Sequence, residues 1–229
     1  GRYQGSYSIA IGHNAGVSQY SSFSVCIGTE SGGVRSGSLN VNIGYLSGYN
    51  SGSSNMNVGV EAGKNTSNSV CVNIGFQAGF TSRASIGIGY RANYSSNGRY
   101  SVAIGKEAGY SISSSLSGSV MIGSNAGYSG YTMNSCIGKN AGYFGRGWNT
   151  AIGKNAGYEI ISNNRYLLSI GTESGYYNKK TYSTSIGYRA GFTNQASYAT
   201  AIGNNAGETN QTESLIISAM NTAINGTRD

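Results

Sequence analysis

The chain has 229 residues with 37 glycines, no proline and only 10% charged side chains, against about a quarter charged and about 7% glycine in an ordinary domain. Its hydrophobic 38% is dominated by Ile, Val, Ala and Tyr, side chains that suit pleated surfaces, while recurrent Gly and Asn exclude long helices. The net charge of +7 admits an acidic partner, but the basic residues are scattered from Arg2 to Arg228 rather than gathered on one face, so nucleic acid is not an expected partner.

In chain order, an Ile/Val-Gly pair recurs at Ile11-Gly12, Ile27-Gly28, Ile43-Gly44, Val58-Gly59, Ile74-Gly75, Ile88-Gly89 and Ile104-Gly105. It continues at Ile122-Gly123, Ile137-Gly138, Ile152-Gly153, Ile170-Gly171, Ile186-Gly187 and Ile202-Gly203, thirteen copies at steps of 14 to 18 residues. A degenerate fourteenth, Leu215-Ile216-Ile217-Ser218, lacks the glycine and reads as the start of a terminal cap, so the expected organisation is a repeat array over 1–213 and a cap over 214–229. One obvious strand per short copy fits a parallel β-solenoid of about fourteen turns, each turn adding ~4.8 Å to a rod on the order of 65 Å.

Within each copy the Ile or Val of the pair is the anchor. Four residues after it stands Ala or Ser, and one further on stands Gly in every copy but one, where Asn93 replaces it. Asn is the residue best tolerated after Gly in the left-handed region, so this corner is predicted to need positive φ. Two residues before the anchor sit mostly Ile, Val, Met or Leu, and both apolar positions are expected to point into the coil. The small residues between them are expected to face outward, toward a neighbouring chain: Ala10, Cys26, Asn42, Asn57, Asn73, Ala103, Cys136, Ala151 and Ala201. A core that thin leaves a lone solenoid short of buried area, and association of chains is the remedy.

At Ser8-Ile9-Ala10-Ile11-Gly12 and Ser101-Val102-Ala103-Ile104-Gly105 the chain resembles the head repeat of trimeric autotransporter adhesins. The resemblance covers nearly the whole chain and implies a left-handed parallel β-roll, three chains side by side, that binds host surfaces. The repeat here is longer than that family's usual fourteen residues and carries an Ala-Gly-Tyr corner, as at Ala108-Gly109-Tyr110. The closing stretch from Asn210 to Ala219 is similar to repeat fibre proteins of tailed phages and large algal viruses. The resemblances therefore imply a homotrimeric fibre on a virion or a bacterial cell surface.

Aromatic residues follow the second corner in nine copies, and Tyr94, Tyr110, Tyr128, Tyr143, Tyr158 and Tyr176 form their continuous run. Stacked on adjacent turns they make a ladder, read either as a platform for sugar rings or as packing against the next loop or chain. Glu30, Glu61, Glu107 and Glu173 share one corner position, but at ~4.8 Å per turn the nearest two are on the order of 10 Å apart, a poor acid–base pair. They read as solvated corner charges. His13 is the only histidine and sits in an outward excursion with no nucleophile motif beside it. Cys26, Cys71 and Cys136 lie several turns apart, beyond disulfide reach and without zinc-motif spacing. No glycine-rich stretch has the helix that a phosphate loop needs, and Thr150, Thr184 and Thr200 are too few for an ice-binding face. Four Asn-X-Ser/Thr sequons begin at Asn65, Asn93, Asn210 and Asn225.

The expectation is therefore an all-β, non-enzymatic fibre segment with no cofactor, metal or catalytic site. Its partners would be its own copies and host surface glycans or acidic polysaccharide, and no apolar run is long enough to insert in a membrane. The start at Gly1-Arg2-Tyr3, without a leader, reads as a cut from a longer chain. The alternatives are a spacer or filament subunit without receptor binding, and a polysaccharide-degrading fibre with acids gathered across chain boundaries. The 18-residue steps, around Ser111–Ser119 and Glu159–Leu168, are expected to add bulges where specificity could be grafted.

Overall fold

The computed structural model describes residues 6–17, 22–34, 36–66, 70–81, 83–96, 99–112, 118–130, 134–144, 147–160 and 165–218. They group into two compact units, Gly1–Gly118 and Ser119–Asp229. Both are all-β, and no helix is found among the described residues.

In the first unit the turns carry the strands Ile9–Ile11, Val25–Ile27, Val41–Ile43, Met56–Val58, Val72–Ile74, Ile86–Ile88 and Val102–Ile104. In the second they carry Val120–Ile122, Asn134–Ile137, Asn149–Ile152, Leu167–Ile170, Thr184–Ile186, Thr200–Gly203 and Leu215–Ser218. Within each unit every strand pairs in parallel with its successor, and anchor lies on anchor: Ile11 beside Ile27, Ile74 beside Ile88, Ile152 beside Ile170. A second, shorter line of pairing closes the turns, with Ser95–Ser96 beside Ser111–Ile112 in the first unit. In the second unit single bridges link Glu159, Tyr177, Thr193 and Thr209 in succession. This is a parallel β-solenoid of stacked coils, the architecture that one strand per repeat predicts. Leu215–Ser218 still pairs with Thr200–Gly203 although its glycine is missing; the rest of the expected cap, 219–229, lies outside the described residues.

The corners follow from backbone chemistry. The glycine after each anchor sits near φ 131°, as at Gly44 and Gly138, a region closed to residues with a Cβ. It also rests on the glycine one turn on: a Cβ at Gly59 would lie 2.4 Å from the carbonyl oxygen of Gly75. Neighbouring turns are stitched from both sides. Gly28 N donates to Ile11 O on the turn before at 2.8 Å, and Gly32 N donates to Ser47 O on the turn after at 2.8 Å. Positive φ is more widespread than the Gly pattern suggests. It recurs three residues after the anchor, as at Asn14 (54°), Glu30 (55°) and Asn140 (56°), and four residues before it, as at Tyr7 (57°), Phe23 (57°) and Tyr182 (60°).

The facing of the strands is the reverse of the expectation. Cys26, Asn42, Asn57, Asn73, Ala103, Cys136, Ala151 and Ala201 are all buried inside their own coil, at 2% exposure or less, and Ala10 in the first turn is half-buried. They cannot form the interface proposed for them from sequence. The Ile and Val columns point outward instead, from half-buried to exposed, with Ile11 at 58%. Volume explains the inversion. The corner glycines bring the two sides of each coil so close that the inward strand residue is nearly always small, Met121 and Ile216 being the exceptions: a Cβ on Gly142 would lie 2.4 Å from Cys136 Sγ, and one on Gly63 would lie 1.9 Å from Asn57 Oδ1.

That narrow interior is partly polar, and much of it is hydrogen-bonded along the stacking direction. Asn73 Nδ2 donates to Asn57 Oδ1 at 2.8 Å, Asn57 Nδ2 to Asn42 Oδ1 at 2.8 Å, and Asn42 Nδ2 to Cys26 Sγ at 3.7 Å. Beside this ladder Asn40 Oδ1 accepts from Asn55 N and Asn55 Oδ1 accepts from Cys71 N, each at 2.8 Å. Where the inner corner carries Ser, its hydroxyl donates to the next turn, as Ser47 Oγ does to Asn57 O at 2.7 Å. In the second unit long side chains brace the coil from the opposite side: Gln195 and Gln211 donate through Nε2 to Thr184 O and Thr200 O, and Lys179 through Nζ to Leu168 O and Ser169 Oγ.

Candidate functional surface

The predicted tyrosine ladder exists, in two described parts. Phe80, Tyr94 and Tyr110 stack at 5.1 Å between centroids in the first unit. Tyr128, Tyr143, Tyr158, Tyr176 and Phe192 stack at 4.8 to 5.1 Å in the second. These spacings are those of successive turns, and the rings are nearly parallel. Tyr94, Tyr143, Tyr158 and Tyr176 therefore have a ring against each of their faces. A sugar ring binds an aromatic side chain over its open face, so these four residues offer edges and phenol groups rather than platforms. All six predicted ladder tyrosines are half-buried. Burial, with Tyr158, Glu173 and Glu159 nearby, raises the Tyr176 pKa above that of a free phenol.

Two of the four corner glutamates, Glu61 and Glu173, are held by partners. Glu61 accepts from Lys64 Nζ at 2.6 Å and from Gln77 Nε2 at 2.7 Å, and these hydrogen bonds, Gln77 first, lower its pKa. Gln77 Oε1 in turn accepts from Arg91 Nε at 2.8 Å, so three successive turns are linked by side chains at one corner. In the second unit Arg189 lies 2.9 Å from Glu208 and 3.6 Å from Glu173 and covers the Phe192 ring at 4.3 Å. Glu30 and Glu107 are half-buried at their corners, and His13 is exposed. The interior cysteines are free thiols. Burial pushes the Cys136 thiol up to about 12 and raises that of Cys26, so neither is poised as a nucleophile. Of the sequons, Asn93 is fully buried, Asn225 lies outside the described residues, and parts of both expected bulges (113–117 and 161–164) do as well.

The surface that sequence reasoning missed lies on the strands. Each strand presents its anchor and the residue two before it to the outside. The columns at its two ends add further large side chains. The upstream edge, four residues before the anchor, carries Tyr7, Phe23, Leu39, Val70 and Tyr100 in the first unit and Trp148, Tyr166, Tyr182 and Tyr198 in the second, all exposed. Tyr7 stacks on Phe23 at 5.1 Å, and Tyr182 stacks on Tyr166 and Tyr198 at 5.1 and 5.2 Å. The downstream edge, two residues after the anchor, carries exposed Tyr45, Val60, Phe76 and Tyr90 in the first unit, with Phe76 and Tyr90 stacked at 5.4 Å. The period-16 recurrence of Tyr166, Tyr182 and Tyr198 was the available signal.

Taken together, seven strands and their two edges make an outward face in each unit of roughly 20 Å by 34 Å, on the order of 700 Å². The face is mostly apolar in the first unit and is interrupted by Ser135, Thr150, Thr184 and Thr200 in the second; monomers rarely leave large apolar patches open, and a stable interface covers about 800 Å² per partner. No family model, curated protein or solved structure matches the chain.

Proposed function

We propose that the chain is a segment of a homotrimeric, non-enzymatic fibre on a virion or bacterial cell surface that attaches to a host cell surface. The observation that carries this reading is the outward Ile/Val face of the solenoid. A ladder of Ile43, Ile104 and Ile152 kept in water on every turn would squander the hydrophobic driving force, whereas three parallel chains with these faces together would bury it. The interface thus moves from the small-residue row to the Ile/Val row, and the motif that resembles trimeric adhesin heads supports three chains rather than two. Light scattering tests it: three chain masses are expected, and the mass of a single chain would refute the trimer.

Attachment is the further step. The charge of +7 favours acidic glycans. A glycan array or whole-cell binding assay with the intact trimer checks it, and an absence of binding would remove attachment from this segment. One observation favours the second reading, a spacer without receptor binding: the rings of Tyr94, Tyr143, Tyr158 and Tyr176 cover one another's faces.

A further inference from the structure

The two edges of the outward face tend to share out their aromatic rings, one per turn, in a way that no single chain requires. Where the upstream edge carries a ring, the same turn is polar downstream: Tyr100 with Lys106, Trp148 with Lys154, Tyr166 with Thr172, Tyr198 with Asn204. Where the upstream residue is not aromatic, a ring stands downstream in three turns, Leu39 with Tyr45, Val70 with Phe76 and Ala84 with Tyr90, while Ser54 with Val60 has none. The turn anchored at Ile186 has rings at both edges, Tyr182 and Tyr188, and those anchored at Ile122 and Ile137 have none.

Inside one chain the two edges stand at opposite ends of a strand, with the strand's own side chains between them. Rings at either edge stack on their own column, as Phe76 does on Tyr90 and Tyr166 on Tyr182. Their bulk therefore has no reason to compensate within the chain. In a cyclic trimer the contact is head to tail around the axis: the upstream edge of one chain meets the downstream edge of the next, at the same level. Compensation then has a cause, because both residues compete for one space.

Resting on the trimer reading, we propose that adjacent chains meet along these two edges turn for turn, most turns of each seam holding one aromatic ring, supplied from one side or the other. Trp148 and Tyr100 of one chain would face Lys154 and Lys106 of the next, and an ammonium over an aromatic face is attractive as well as complementary in size.

The test is a pair of cysteines in the otherwise unchanged chain, whose three native thiols are buried. Tyr166→Cys with Thr172→Cys puts one cysteine at each end of a strand, on the order of 15–20 Å apart within a chain and outside the reach of a disulfide. Mild oxidation is expected to give a covalent trimer on a non-reducing gel. Tyr166→Cys with Asn204→Cys, two turns out of level, is expected to give none. A three-chain mass without the matched cross-link overturns the seam and leaves the trimer standing; a one-chain mass overturns both. A second variant set does not rely on cysteine chemistry. Ala84→Tyr, which puts a second ring opposite Tyr90, is expected to weaken the trimer at least tenfold, and adding Tyr90→Ala is expected to restore it. Equal weakening by the single and double variants would also overturn the seam.

Discussion

The side chain of Asn93 fills the space in which Gly87 would carry its own: a Cβ on Gly87 would lie 3.3 Å from Asn93 Cβ and 3.0 Å from Ala92 O. Elsewhere the arrangement is reversed, with a side chain on the strand and glycine at the corner, as in Asn42 with Gly48. One residue of the pair has to be glycine because the coil is one side chain thick there. The Asn at this corner thus satisfies the positive φ of 54° and replaces missing volume. It also leaves Asn73 Oδ1, whose next turn offers Gly87 instead of a donor, without a hydrogen bond.

A double-mutant cycle follows. Gly87→Ala alone overfills the coil and is expected to cost about 1–3 kcal/mol. Combined with Asn93→Gly it recreates the arrangement of the other turns, and the cost should largely vanish. Urea midpoints at one fixed protein concentration measure the coupling, expected at about 1–3 kcal/mol; additive effects would contradict the shared space.

The interior asparagine ladder should be less tolerant than its polarity implies. Asn57→Ala strands Asn73 Nδ2 and Asn42 Oδ1, and each buried orphan costs about 1–3 kcal/mol. At exposed Asn194, which also bonds its neighbours one turn away and sits at φ 55°, replacement by Gly keeps the left-handed backbone and is expected to change the unfolding midpoint little.

Neighbouring residues on one strand should fail in different ways. Ala151→Leu is expected to destabilise the coil by about 1–3 kcal/mol, because Ala151 is buried and a Cβ added across the coil at Gly157 would already lie 3.5 Å from the Ala151 Cβ and 3.7 Å from Ile160 Cδ1. Ile152→Lys points outward, so the β-sheet circular dichroism should persist while the mass by light scattering falls to that of one chain. A trimer that survives Ile152→Lys would place the interface elsewhere.

Lys179 makes stability depend on pH in a stated direction. Burial lowers its pKa well below the ordinary value, so the folded chain binds fewer protons than the unfolded one between that lowered value and about 10.4. Stability is therefore expected to rise with pH through this window and to level off above it. Lys179→Gln, which copies Gln195 and Gln211 at the same position in later turns, should remove this rise. An unchanged pH profile in the variant would mean that another group carries it.

The sequence made the repeat frame, the strands and the glycine corners legible, because Ile-Gly and Ala-Gly recur at fixed offsets. It left the facing ambiguous. Alternation along Val102-Ala103-Ile104 defines two faces and not which is inside, and placing the larger apolar side chains inward assumed room that the corners remove. Asn42, Asn57 and Asn73, one turn apart in register, were the better guide, since stacked amides can satisfy one another in a dry interior. The left-handed backbone at Glu30, Val70 and Tyr182 was illegible for a different reason: these side chains ordinarily avoid it, and the hydrogen bonds of the turns above and below impose it.

The column of glycines resting on one another has a consequence for how this molecule can change in length. Every residue from the strand to the second corner is fixed by partners on adjacent turns, so steps of 14 to 18 residues differ only in the segment that follows. Removing one whole turn inside a unit rejoins the same partners, glycine on glycine and anchor on anchor. Length is thus a counted quantity, heritable in whole turns, and two versions of the chain can differ in reach while every remaining turn keeps its chemistry.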